Sequence, residues 1–298
     1  MAALVAAAAA VTWLAAAPVS GAESSVPAAA ADGPAVAGLA PGRRSRMFPG
    51  DLLYAPYLAD PRQTGFGVSV IAIDEVAVPE SGSVRFVLRL GGRFGIVRFR
   101  GPGGHPWQLD AEAGFHGQFD IENQQDNLGW DGVYGAQLSA DLGDGWTART
   151  GLHHTSSHVG DEYAERTGHR RLGYTREELR AGLTRHLPGA WRLYGEVGWG
   201  YDLRTPGLQE PLRLQAGAEV ERPLSAGARR WRWYAAADLT AFEEHDWHPG
   251  TTVHLGLSVP ADERSWRFVV GWSEGRVPIG ELSPHREGQA LVGIRLDL

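Results

Sequence analysis

Residues 191–202, WRLYGEVGWGYD, constrain the fold of this chain more than any other stretch. Trp191, Leu193, Gly195, Val197, Trp199 and Tyr201 share one parity, and Arg192, Tyr194, Glu196, Gly198, Gly200 and Asp202 share the other. Successive side chains of an extended strand point to opposite faces, so this strand has one apolar face with aromatic ends and one charged face. A strand that crosses a bilayer needs that distribution, with an apolar middle against acyl chains and aromatic girdles at both interfaces. The pattern recurs. Trp107, Leu109, Ala111, Ala113, Phe115 and Phe119 oppose Gln108, Asp110, Glu112, His116, Gln118 and Asp120, and Val292, Ile294, Leu296 and Leu298 oppose Gly293, Arg295 and Asp297.

The polar parity decides between two all-β architectures. It carries Arg85, Arg89, Glu112, Arg149, Arg180, Arg192, Glu196, Arg213, Glu219, Arg232, Asp238 and Arg267. A soluble sandwich would bury one face as a dry core, and so many ionised groups cannot form one. A closed cylinder can enclose them as paired charges in a narrow lumen. The expected fold is therefore all-β, a transmembrane antiparallel up-and-down barrel of about 12 strands. Strands are expected at 84–90, 93–100, 107–120, 131–142, 146–156, 175–187, 191–202, 212–224, 231–242, 251–259, 266–273 and 288–298. Loop lengths support this phase. Tight turns at 143–145 and 188–190 alternate with longer connections at 121–130, 157–174, 203–211, 243–250 and 274–287, as in outer-membrane barrels with short periplasmic turns and long outer loops. Gly91-Gly92 reads as a short hairpin at the outer end.

Upstream, residues 1–22 read as a signal peptide, with an apolar run too short for a transmembrane helix and a Ser20-Gly21-Ala22 cleavage site. Residues 23–46 read as a flexible Ala/Pro/Gly linker. Residues 47–83 are expected to dock on the barrel from the periplasm as an N-terminal segment, with 64–73 either part of it or one more strand. The barrel is assigned to 84–298. Export places the protein in a bacterial outer membrane, with outer-membrane lipids and the barrel-assembly machinery as partners. A formal net charge of −7 argues against nucleic acid as a partner, since phosphate binding needs a basic face. With no Cys there is neither a disulfide framework nor a thiolate site.

The densest polar cluster is 151–163, GLHHTSSHVGDEY, running from a strand into the longest loop. Parity puts His154 and Ser156 on the lipid face and His153, Thr155 and Ser157 inside. A serine hydroxyl becomes nucleophilic only when a base takes its proton, and the base needs an acid to fix its tautomer. His154 and Ser156 are thus the candidate base and nucleophile, with Asp161 or Glu162 as the orienting acid. Metal binding is the competing chemistry. His153, His158, Asp161 and Glu162 form one group of candidate ligands, and His245, Asp246 and His248 another at the same end. Oxygen-rich groups there could hold Ca²⁺ and the histidines Zn²⁺. A third reading gives both clusters only loop-ordering hydrogen bonds.

The His-x-Ser of 154–156 resembles the outer-membrane phospholipase A and lipid A deacylase families, although Ser157 follows where those enzymes often carry Asn. That resemblance implies hydrolysis of lipid esters, with His154 as base and Ser156 as nucleophile; the cofactor stays open, with Ca²⁺ one that a hydrolase could use. A second resemblance covers most of the chain. The stretches FPGDLLYAPYLADPR, GGRFGIVRF, QLDAEAGFHGQFDI, HHTSSHVGDEY and EEHDWHPG, in this order, resemble a bacterial family of outer-membrane proteins known only as a domain of unknown function. It implies barrel fold and location, and no activity. Three functions follow: an envelope-structural barrel with a polar lip, an outer-leaflet lipid hydrolase, or a narrow channel or solute-binding barrel.

Overall fold

The computed structural model describes residues 45–205, 208–225, 231–261 and 264–297. The signal peptide, nearly all of the linker, and Leu298 lie outside the described residues. Thirteen strands follow in chain order: β1 (Ser45–Met47), β2 (Phe66–Ile73), β3 (Val84–Arg100), β4 (Pro106–Asp120), β5 (Asp126–Gly143), β6 (Trp146–Val159), β7 (Thr175–Leu187), β8 (Trp191–Leu203), β9 (Leu212–Pro223), β10 (Arg232–Phe242), β11 (Gly250–Ala261), β12 (Arg264–Arg276) and β13 (Arg286–Asp297). Strands β2 to β13 pair antiparallel with their sequence neighbours, and β13 pairs with β2, so the sheet closes into a barrel of twelve staves. β1 is a short extra strand on the far half of β3.

The expected count of twelve is met by a different set of strands. Gly91-Gly92 is not a hairpin: β3 runs unbroken through it and pairs with β4 along its whole length. Gly in a strand interior marks a bend or a close approach as well as a turn. Gly91 has φ of 143°, and a Cβ there would lie 2.2 Å from the Ala113 carbonyl oxygen. The missing stave is β2, which the sequence reading left between strand and docked segment. The barrel therefore begins at Phe66 and not at Val84.

The faces are as parity requires. Leu152, Leu179, Val197 and Trp199 point outward and are exposed, while Arg85, Asp110, Glu178 and Asp238 are buried inside. Residues 48–65 enter the lumen, turn, and return to start β2; they form a plug, not an external docked segment. Tyr57 stacks on Tyr194 at 3.8 Å, its hydroxyl pairs with that of Tyr54 at 2.7 Å, and the Leu58 amide donates to Glu219 at 2.6 Å. Around the plug the charges pair. Glu178 accepts from Arg176, Arg180 and Arg213, and Glu196 from Arg149 and Arg213.

Short turns join one end of the barrel and long connections the other. The long-loop end is capped. Helix α1 (Asp161–Thr167) sends Tyr163 into an apolar cluster with Val78, Leu128, Val159, Val277, Ile279 and Leu282. The 3-10 turn Gly280–Leu282 closes over the lumen, with the Gly280 amide donating to Asp131 at 3.0 Å and the Glu281 amide to Ser157 Oγ at 2.8 Å.

Candidate active site on the outer barrel wall

Three strands build a small polar grid on the outer wall. In β5, β6 and β7, Tyr134, His154 and Glu177 are register partners in one row, and Gly132, Ser156 and Thr175 in the next. From Trp146 at the short-turn end, His154 lies eight residues along β6. At about 3.3 Å per residue and about 40° of tilt, that is roughly 20 Å up an apolar band about 25 Å tall. The grid sits at the outer edge of the apolar zone.

His154 Nδ1 lies 2.5 Å from Glu177 Oε1. A carboxylate only accepts, so the ring nitrogen facing Glu177, Nδ1, carries a hydrogen, and Nε2 points away from the acid. Tyr134 stacks on the imidazole at 4.2 Å with planes 18° apart, which fixes the ring from the other side. Ser156 is the next outward residue of the same strand. In this resting arrangement its hydroxyl is 3.5 Å from the Gly132 carbonyl, a long contact that leaves it free to turn. Gly132 keeps the row open, since a Cβ there would press within 3.3 Å of Ser156 Oγ. The histidine is half-buried, with its side chain 13% exposed against 26% for Glu177. The Ser156 hydroxyl here faces the Gly132 carbonyl; a base oriented by an acid, two residues along the same strand face, can carry acyl transfer once the hydroxyl turns to it.

The expected acids are elsewhere. Asp161 opens α1 and is ion-paired with Arg171, and Glu162 is exposed on the same helix. The acid brought to His154 is Glu177, which the sequence reading missed. A signal was present: Leu179 and Leu183 set the outward parity of β7, so Glu177 is an acid on the lipid face while Glu178 points inward.

Strand parity also divides the expected metal ligands. His153 faces the lumen and meets Glu112 at 2.6 Å, whereas His158 is outside against Trp130 at 4.4 Å. In the other cluster, His245 is buried beside Phe242, while Asp246 and His248 are exposed and His248 Nδ1 donates to the His245 carbonyl. Among the described residues, no three His, Cys, Asp or Glu gather to hold a metal ion. The expected carboxylates, Asp161 and Glu162, stand apart from the grid and do not form a Ca²⁺ ligand set with it. Burial lowers the pKa of His245 to about 4, with Arg276 and Arg62 adding to the effect.

The comparisons agree with the architecture. Outer membrane phospholipase A from Escherichia coli superposes with a TM-score of 0.55 at 13% identity, over 78% of this chain and 92% of that one. The outer membrane phospholipase of Salmonella typhi, a dimer with bound calcium, gives 0.49 at 13% identity, over 78% and 89%. LpxR from Salmonella typhimurium gives 0.38 at 9% identity, over 78% and 99%. At such an identity the likeness to the first is one of fold. No curated protein matches the chain. The model of the family described as "Protein of unknown function (DUF1207)" matches residues 9–298, and the chain belongs to that family.

Proposed function

We propose that this protein is an outer-membrane acyl hydrolase acting on lipid esters of the outer leaflet. The observation that carries the reading is the 2.5 Å contact of Glu177 with His154, on the lipid-facing wall and two residues from Ser156. Ionisable groups on that wall are costly, and a purely structural strand would carry aliphatic or aromatic residues there. The ester bonds of a lipid lie at the boundary between acyl chains and headgroups, the depth of this grid.

In this reading Ser156 Oγ attacks the ester carbonyl while His154 Nε2 takes its proton. Glu177 steadies the imidazolium. The tetrahedral intermediate collapses, His154 returns the proton to the leaving alcohol, and an acyl-serine remains. Water, deprotonated by His154, then releases the fatty acid and regenerates the hydroxyl.

The alternative is an envelope-structural barrel whose polar lip orders its loops. It is supported by Glu281, whose carboxylate accepts the Leu172 and Gly173 amides at 3.1 and 2.7 Å. A channel has less support. The plug occupies the lumen, and the cavities beside its turn are small, two of about 50 Å³ and one of about 30 Å³, each room for a few waters.

Fatty-acid release from phospholipid and from lipid A by the detergent-purified chain, with Ca²⁺ and with EDTA, separates these readings. The hydrolase reading expects release from at least one lipid, reduced about 10³-fold or more by Ser156→Ala and by His154→Ala. Release that survives Ser156→Ala, or none from the wild type in any condition, would dispose of it.

A further inference from the structure

Of the arginines that the barrel strands send into the lumen, nearly all meet a carboxylate. Arg85 faces Glu287, Arg93 faces Glu112, Arg192 faces Glu219, and Arg267 faces Glu221. Arg89 and Arg295 differ. Arg89 Nη2 donates to the Pro61 carbonyl at 2.8 Å and Arg295 Nη1 to the Leu58 carbonyl at 3.1 Å, both in the plug. Among the described residues, neither is ion-paired within 4.0 Å. They are also neighbours: Gly67 in β2 is the register partner of both, so the two guanidiniums flank a residue without a side chain.

Both arginines line a cavity of about 30 Å³, together with Gln118, Thr252, His254 and Gln289. No carboxylate lines it. Arg295 Nε, a charged donor, is buried there without a partner. His254 is 1% exposed, its Nδ1 donates to the Leu58 carbonyl at 2.9 Å, and its Nε2 is likewise unpartnered. The fields of opposite sign are those of Asp60, whose Oδ1 accepts the Arg62 amide, and, at Arg295, of Asp297, which is itself ion-paired with Arg267. Two like charges side by side, each half-buried and neither ion-paired with a carboxylate within 4.0 Å, repel one another, and an anion between them relieves the repulsion.

We infer that this cavity binds a small inorganic anion of halide size, which neutralises Arg89 and Arg295 and locks the plug turn at 58–63 to β3 and β13. The volume takes about two water-sized occupants. An anion between the guanidiniums and one water serving His254 Nε2 would satisfy the orphaned atoms. Entry is available, because both arginines also line a wider cavity of about 640 Å³ at the short-turn mouth.

The full chain in detergent is unfolded in chloride, bromide, sulfate or gluconate at matched ionic strength, and crystals are soaked in bromide. Chloride and bromide are expected to raise the unfolding midpoint saturably, by several degrees over gluconate. A bromide peak should lie between Arg89 and Arg295, and Arg295→Gln should remove the dependence while retaining folded gel mobility. If Arg295→Gln does not fold, the wild-type series and the bromide map decide alone. A midpoint indifferent to halide, a map without the peak, or an unchanged halide response in folded Arg295→Gln would overturn the inference. Sulfate acting as well as chloride would also overturn it, since sulfate does not fit the cavity.

Discussion

Glu177 and Glu178 are adjacent and chemically identical, yet they do different things because one faces out and the other in. Glu177 fixes one histidine. Its conversion to Gln keeps the shape but removes the negative charge and adds an amide donor, so the partner no longer sets the tautomer. Glu177→Gln is expected to cut kcat by about 10²–10⁴ with little change in KM, read in the fatty-acid assay. Glu178 is 1% exposed and serves three guanidiniums, those of Arg176, Arg180 and Arg213. Taking that charge away removes the acceptor the three share, leaving Arg213 to Glu196 and Arg176 to a 3.8 Å contact with Glu244. Glu178→Gln should destabilise the barrel by about 3–5 kcal/mol, measured by urea unfolding in detergent, and leave the outer wall untouched. His153 supplies the control for the pair on the wall. It has its own acid, Glu112, but in the lumen, so His153→Ala should lower stability and spare any lipid hydrolysis.

Among the elements, β3 shows what local signals cannot decide. A Gly-Gly pair between apolar residues suits a hairpin, but here it lets a long strand approach β4 and bend, so that one half pairs with β2 and the other with β1. The loop at 243–249 makes a prediction of its own. His245 is held neutral by burial, with its pKa lowered from 6.5 to about 4. Above pH 6.5 neither the ordered nor the disordered loop is protonated there, and its order is complete. Between about 6.5 and about 4 only the disordered loop takes up the proton, so order is lost as pH falls. Hydrogen exchange of the amides at 243–250, corrected for its intrinsic pH dependence, should accelerate across that window, and His245→Gln should flatten the profile.

For the whole molecule, the plug decides whether the lumen is open or closed. It threads the lumen under a lid made by Gly280–Leu282, and its contacts come from strands far apart in sequence, including β4, β9, β11 and β13. Intact protein in planar bilayers is expected to show no steady conductance. Deletion of 48–64, in protein that still folds, should open one, and a wild type that conducts as readily would refute the sealing role. Parity alone determined that the chain is a closed barrel with a charged interior, because a period of two assigns each side chain to lipid or lumen without reference to any partner strand. It also placed His154 and Ser156 on the outer wall. Tertiary structure decided the rest: that Glu177 and not Asp161 meets His154, that the segment before Phe66 lies inside, and that Gly91 continues a strand. Those facts depend on register and chain path, and register is set by pairing across the sheet, which a one-dimensional pattern does not contain.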